Sequence, residues 1–99
     1  MIRSIDPCSG QSFGPTYPEA EAADVASAVG AAVRAQGMMD ECRPDRIVNG
    51  LRGAADALDA HCDELAALAD TETALGVPRL AGEVGRTSGR LRAFAGLVA

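Results

Sequence analysis

The sequence predicts a mainly α fold, in which a short N-terminal β-hairpin is followed by four helices. Three of the five prolines lie in the first 18 residues, around a glycine-containing turn that separates two short apolar stretches. After that segment, apolar residues recur at three- and four-residue steps, the spacing that gathers them on one side of a helix. We expect residues 1–99 to form a single unit, with the hairpin in residues 1–18 and the helical part in residues 19–99.

The composition limits both the core and the possible partners. Hydrophobic residues make up 47% of the chain, but 20 of them are alanine, and tryptophan is absent. A chain this short buries only about 60–65% of its unfolded surface, so we expect a thin core that gains from a partner surface. The net charge is −5 and all nine basic residues are arginine, which argues against nucleic-acid or membrane partners. No stretch resembles a membrane span or a secretory signal, so we expect a cytoplasmic protein.

The hairpin is predicted within residues 2–15. Its turn contains Pro7, which sets φ near −65°, and Gly10, which accepts a positive φ. We expect Pro15 and Pro18 to end the extended region.

The first helix is predicted over residues 20–36. Its apolar stripe consists of Val25, Ala28, Val29, Ala32 and Val33. Acidic residues crowd its first turns, where the helix dipole favours negative charge. We expect Gly37 to close this helix.

The second helix is predicted over residues 44–60 and begins with a proline, a residue tolerated in a first turn. The third is predicted over residues 63–75, either separate from the second or continuous with it. Asp63 is a candidate cap for its start, and Gly76 followed by Pro78 is a typical stop signal.

The fourth helix is predicted over residues 79–97, with two different faces. The small-residue seam contains Gly82, Gly85, Gly89, Ala93 and Gly96. The bulky face contains Leu80, Val84, Leu91, Phe94 and Val98. Each glycine costs about 1 kcal/mol relative to alanine inside a helix, so the seam predicts close approach of another backbone; the alternative is a weak helix.

The chain has few residues of the types that usually bind metals, and their spacing does not predict a metal site. Cys8, Cys42 and Cys62 lack the spacing of a zinc site, and the chain has a single histidine. His61 and Cys62 are adjacent, but neighbours in a helix point roughly 100° apart, which argues against a Cys–His nucleophile.

Motifs along the whole chain nevertheless resemble those of one enzyme family. The turn Asp6-Pro7-Cys8-Ser9-Gly10 is similar to the Asn/Asp-Pro-x-Thr/Ser-Gly turn that opens aldehyde dehydrogenases. Residues 23–29 and 45–58 resemble the first two helices of that family, the second through its Arg…Leu…Ala-Asp-x-Leu pattern. Glu72-Thr73 followed by Gly76-Val77-Pro78 is similar to the family's Glu-Thr-Gly-x-Pro element, with Ala74-Leu75 displacing the glycine.

The last segment resembles one branch of this family. Residues 82–95 are similar to the α-ketoglutarate semialdehyde (2,5-dioxovalerate) dehydrogenases. The departures cluster between Gly37 and Gly53, where Met38-Met39-Asp40-Glu41-Cys42 replaces an aromatic-containing connection. The resemblance implies that the chain is an N-terminal fragment of the larger α/β aldehyde dehydrogenase fold.

The resemblance also implies a chemistry that these residues do not supply. Family members attack the aldehyde with a Cys thiolate, pass hydride to NAD or NADP, and hydrolyse the thioester with a Glu-activated water. Cys8, Cys42 and Cys62 do not stand in the family's nucleophile motif, and no glycine-rich loop joins a predicted strand to a helix. We therefore expect no catalytic, cofactor-binding or metal residue in this chain, and a catalytically inactive fragment.

One contribution to a substrate site is implied. The family's counterpart of residues 84–95 lies beside the substrate tunnel, which makes Arg86, Arg90 and Phe94 tunnel candidates for an acidic semialdehyde. The alternative is that Arg79 and Arg86 pair with Glu83 on a solvated face.

Two functions remain open from the sequence. The first is an oxidoreductase fragment, because the sequence ends within an apolar pattern without a closing cap. The alternative is a free-standing helical protein-interaction module. Both predict uncovered apolar surface, and therefore self-association or docking onto missing dehydrogenase domains.

Overall fold

A computed structural model describes residues 1–99 and contains two strands followed by four helices. The elements are β1 (Ile2–Ile5), β2 (Ser12–Tyr17), α1 (Ala22–Asp40), α2 (Pro44–Ala60), α3 (Cys62–Thr73) and α4 (Val77–Val98). The predicted fold class, a mainly α chain with an N-terminal hairpin, is confirmed. None of the four helices combines the length and the apolar character that a membrane span requires.

The hairpin turn is built around Asp6. The Asp6 carboxylate accepts hydrogen bonds from the backbone N–H of Cys8 at 2.8 Å and from the Ser9 hydroxyl at 3.0 Å. These bonds favour the charged form and hold the pKa of Asp6 below its ordinary value of 3.8, the Cys8 bond having the largest effect. Gly10 adopts a φ of 71°, as its place in the turn requires.

The second strand is longer than predicted. The hairpin is predicted within residues 2–15, with Pro15 and Pro18 ending the extended region; β2 passes Pro15 and ends at Tyr17, directly before Pro18. Its pairing moves from Ser4↔Phe13 to Ile2↔Tyr17. A step of four residues along β2 is therefore matched by a step of only two residues along β1. This bulge contains Pro15, which has no N–H to donate, and therefore lets the strand pair again beyond the proline.

Helix α1 also continues past its predicted end. Glu21 and Asp24 form a capping box at its start, with the backbone N–H of Glu21 donating to Asp24 at 2.9 Å. Gly37 does not close the helix, which runs to Asp40. Gly37 has no positive φ, and the methionines that follow favour helix, so the helix absorbs its cost of about 1 kcal/mol.

The helices α2 and α3 are separated by a single residue, His61, so the third helix is distinct from the second. The predicted cap, Asp63, instead lies in the first turn of α3, where its charge complements the helix dipole. The helix starts earlier because the backbone N–H of Leu65 donates to the carbonyl of His61 at 2.9 Å.

The junction between α3 and α4 differs from the predicted stop. Helix α3 ends at Thr73, and Ala74 takes the left-handed conformation with a φ of 55°. Asp70 stabilises this turn, because its backbone carbonyl accepts from Ala74 and its carboxylate accepts from the N–H of Gly76, both at 2.8 Å. Pro78 lies in the first turn of α4 rather than terminating α3.

The core lies where α4 packs against α2 and α3. Six residues of the chain are buried. Four of them lie on the surface between α2 and α4, and these four have small or medium-sized side chains. The buried residues are Val48, Ala55, Ala66, Leu80, Ser88 and Ala95. Alanine and serine at this contact allow the two helix backbones to approach closely, but they remove little apolar area from water.

An ionic contact also connects the same two helices. Arg92 of α4 donates to Asp56 at 2.7 Å and to Asp59 at 2.8 Å, both on α2. The nearby Ser88 hydroxyl and then Arg92 lower the pKa of Asp59 below 3.8, while Asp56 and Asp59 raise the pKa of Arg92. We call Arg92, Asp56 and Asp59 the interhelix ion cluster.

Helix α1 contributes nothing to this core. None of its residues is buried, and Val33 is 67% exposed. The chain is therefore spread out, with a radius of gyration of 17.5 Å, against about 13 Å for a compact domain of this length. Its smallest dimension, 15 Å, is little more than the roughly 10–12 Å diameter of one helix.

The glycine seam of α4 has no partner within the chain. A Cβ built on Gly82, Gly85, Gly89 or Gly96 would meet no atom within 4 Å. The prediction that another backbone packs closely on the seam is therefore wrong for this chain. Helices α2 and α3 instead contact the opposite side of α4, where Leu80 is buried.

Ala74→Gly should stabilise the fold by about 0.5–1 kcal/mol, as measured by urea unfolding. A left-handed φ costs an L-residue with a Cβ roughly 1–2 kcal/mol, and glycine gives up part of that gain through its greater freedom in the unfolded chain.

The matched control is Ala67→Gly, at an exposed position inside α3. It should lower stability by about 1 kcal/mol, because the helical conformation there suits alanine. A loss of stability in both variants would contradict the left-handed conformation at residue 74.

Asp59→Asn should lower the urea midpoint at neutral pH, and the difference from the native chain should shrink on acidification. Because the folded pKa of Asp59 lies below 3.8, its contribution is complete above that value and is lost as the pH falls through the folded pKa. The control is Glu41→Gln, at an exposed carboxylate outside every ion pair, which should leave the urea midpoint at neutral pH unchanged.

Candidate functional site

Helix α4 presents one side to α2 and α3 and leaves the other exposed. Arg86, Arg90 and Phe94 follow one another at four-residue steps, so each lies about 6 Å further along the exposed side. We call the surface formed by these three residues the outer face of α4.

All three sequence-predicted tunnel candidates are thus brought together on one surface. Phe94 is 60% exposed, an unusual position for an aromatic ring in a chain that has so few. Arg90 makes no ion pair, so its guanidinium fork is free for an incoming carboxylate. The face can therefore offer positive charge beside an aromatic wall.

The alternative prediction is that Arg79 and Arg86 both pair with Glu83, and the structure contains only one of these two ion pairs. Arg86 lies 3.9 Å from Glu83, a long contact between two largely exposed side chains. Such surface pairs contribute roughly 0–1 kcal/mol. Arg79 makes no ion pair with Glu83. The positive charge of the outer face is therefore only partly neutralised.

Two open grooves lie away from the outer face. The smaller, about 270 Å³, lies between α2, α3 and α4 and is bordered by Leu58, Leu65 and Val84. The larger, about 790 Å³, lies between the end of α1 and the start of α2. Neither is bordered by a residue of the outer face.

The three cysteines lie in different environments, and none of them pairs with the histidine. Cys8 is exposed in the hairpin turn, and Cys42 is half-buried in the larger groove. The thiol of half-buried Cys62 lies 4.0 Å from the carbonyl of Ala81, whereas the imidazole of His61 lies 3.4 Å from Glu64. His61 and Cys62 therefore do not form a nucleophilic pair.

The chain offers no cradle for a nicotinamide dinucleotide. Its two strands form an antiparallel hairpin, so no strand leads through a glycine-rich loop into a helix. The glycine that precedes a helix, Gly76, follows the end of α3, and Pro78 removes an N–H from the first turn of α4. The residues present do not fit the cofactor, and we assign none to it.

Two features were not found from the sequence. The interhelix ion cluster requires knowing that α2 and α4 are neighbours, although the three-residue spacing of Asp56 and Asp59 places both on one side of α2. Prediction of the larger groove requires knowledge of the path that the chain takes between α1 and α2. Local patterns carry no information about either arrangement.

No curated protein and no solved structure matches the chain. The sequence model of the aldehyde dehydrogenase family matches it over residues 1–99, which is its whole length. The chain therefore belongs to the aldehyde dehydrogenase family, whose members are aldehyde-oxidising oxidoreductases.

Proposed function

We propose that this chain serves as the helical N-terminal part of an NAD(P)-dependent aldehyde dehydrogenase and is inactive by itself. The proposal rests on the large exposed surface of the chain, together with the family match over residues 1–99. The accessible surface is 7342 Å², whereas a compact monomer of this mass exposes roughly 5,300 Å². The excess of roughly 2,000 Å² is enough for a stable interface with further dehydrogenase domains.

The distribution of reactive groups supports inactivity. A thiol nucleophile needs a base within about 2.6–3.2 Å, and neither Cys42 nor Cys62 has a side-chain base at that distance. The nicotinamide cofactor supplies hydride acceptance in this family, and the chain has no residues arranged to hold it. Aldehyde oxidation would therefore depend on residues outside these 99.

We further infer that the substrate class is an acidic semialdehyde, with α-ketoglutarate semialdehyde as the candidate. A guanidinium can donate two parallel hydrogen bonds to a carboxylate, and Arg90 is the free arginine beside Phe94. Arg86 would contribute less, because Glu83 already neutralises part of its charge. Phe94 would contact the methylene carbons of the substrate.

A second candidate function is a helical protein-interaction module. The observation that favours it is α1, whose valines at positions 25, 29 and 33 are all more than half exposed on one side of the helix. The DNA downstream of codon 99 separates the two proposals. A dehydrogenase coding sequence there, in frame or frameshifted, supports the first proposal, whereas unrelated sequence supports the module.

The purified chain should show no NAD(P)-dependent oxidation of glutarate semialdehyde or α-ketoglutarate semialdehyde. The reason is the missing nucleophile, base and cofactor site. The measurement is NAD(P)H absorbance, with a complete aldehyde dehydrogenase as positive control. Turnover that follows the chain through purification would contradict the proposal.

Arg90→Leu should lower kcat/KM for an acidic semialdehyde about 10–100-fold in a complete enzyme that carries residues 1–99. That range corresponds to losing a charge-assisted hydrogen bond of about 1.5–3 kcal/mol. Pentanal, which lacks the carboxylate, should be oxidised at an unchanged rate by the same variant.

The matched control for that variant is Arg52→Leu, since Arg52 is an exposed arginine of α2 that makes no ion pair. It should leave both substrates unaffected. An equal loss for the acidic substrate and pentanal in Arg90→Leu would assign a structural role to Arg90 and overturn its role in recognition.

A further inference from the structure

We propose that the exposed side of α1 is a dimer interface, and that its partner is α1 of a second copy of this chain, packed in the antiparallel direction. We call this surface the valine face, and it consists of Val25, Val29 and Val33 together with Ala26, Ala28 and Ala32. The proposal names the partner of the surface that favours the interaction module, and it does not depend on dehydrogenase chemistry.

The valine face is exposed and carries no charge. Its three valines are 57%, 58% and 67% exposed in chain order, so each has apolar area left to bury. The charges within α1 are Asp24 and Arg34, each five residues from Val29 and therefore roughly 140° around the helix from it. A second apolar face can therefore cover the valines without burying an ion, which would be costly.

The order of residues on the valine face is symmetric about Val29. Val25 and Val33 lie four residues before and after it, and Ala26 and Ala32 lie three residues before and after it. In a two-fold interface, a residue i that contacts residue j of the partner requires that j also contacts i. An antiparallel pair centred on Val29 meets this condition, because valine lies opposite valine and alanine opposite alanine. The positive end of each helix dipole also lies beside the negative end of the other.

Helix α2 leaves the valine face open. The residues of α1 that border the larger groove beside α2 are Ala35, Met38 and Met39. Met38 lies nine residues beyond Val29, which places it about 180° around the helix axis. Helix α2 therefore approaches α1 from the side opposite the valines, and a second copy can reach the valine face without displacing α2.

The length of α1 determines the size of the contact. In the register centred on Val29, residues 22–36 of the two helices overlap over about four turns. Asp40, the last residue of α1, lies beyond this overlap and is not buried. A contact between one pair of helices lies at the low end of the range for dimers, roughly 1,200 Å² in total. The excess surface of the chain can supply that area, and we expect a dimer that dissociates on dilution.

The test is sedimentation equilibrium of the 99-residue chain over a range of concentrations. We expect a reversible equilibrium between the monomer and a dimer of twice the chain mass of 10.1 kDa. Val29→Asp should weaken dimerisation at least about 100-fold, because two like charges would face each other at the two-fold axis. The matched control is Ser27→Asp, which places the same charge at an exposed position on the opposite side of α1 and should leave dimerisation unchanged.

Cysteine cross-linking tests the antiparallel register, in a chain whose three native cysteines are replaced by serine. Val29→Cys should form a disulfide with the same position of a second copy. Val25→Cys should cross-link to a chain that carries Val33→Cys, but not to another Val25→Cys chain. In the proposed pair the two copies of position 25 are about 12 Å apart along the helix axes, and a disulfide requires Cα atoms within about 7 Å.

Three results would overturn the proposal. They are a monomer at every concentration, dimerisation that survives Val29→Asp, and a disulfide between two Val25→Cys chains, which would show a parallel pair. Circular dichroism checks that each variant keeps its helices, and the conservative cysteine variants test the interface even if Val29→Asp unfolds α1. These measurements contain no aldehyde and no cofactor, so their failure is distinct from failure of the proposed dehydrogenase function.

Discussion

The close contact between α2 and α4 is the interaction on which the rest of this structure depends. Ala55 and Ala95 are fully buried in it, and Ser88 occupies the same surface with 2% exposure. Because these side chains are small, the helices approach closely enough for Arg92 to reach two carboxylates of α2. Helix α3 packs beside the N-terminal half of α4, where Leu80 and Ala66 are buried, whereas Arg92 and Ala95 lie in the C-terminal half of α4. Larger residues at this contact would separate the helices and lose the ion cluster.

The small side chains at this contact also limit how much apolar surface the chain can bury. Small residues remove little apolar surface from water, so close packing of two helices yields a thin core. Helix α1 has no place in that core, and its valine stripe remains in solvent. The accessible surface of 7342 Å² reflects this thin core and the uncovered α1.

The sequence predicted those features that are determined locally. The hairpin turn follows from Asp6-Pro7 and Gly10, and the four helices follow from apolar spacing, so both appear in the structure. The ends of α1 and α3 differ from the predicted residues 36 and 75. The left-handed turn at Ala74 depends on neighbouring hydrogen bonds, such as those of Asp70, which a local sequence pattern does not reveal. The outer face of α4 could be listed from residue spacing alone. Its exposure could not, because burial is decided by which side α2 contacts.

The arginines of α4 show how one helix separates structural charge from available charge. Arg92 follows Arg90 by two residues, which turns it roughly 200° around the helix axis and towards α2. There Asp56 and Asp59 neutralise it, so it holds the helices together and attracts no further anion. Arg90 lies on the opposite side without an ion pair, and Arg86 is only weakly paired. On α4, the positive charge that is not used in a close ion pair therefore belongs to Arg79, Arg86 and Arg90, although the net charge of the chain is −5.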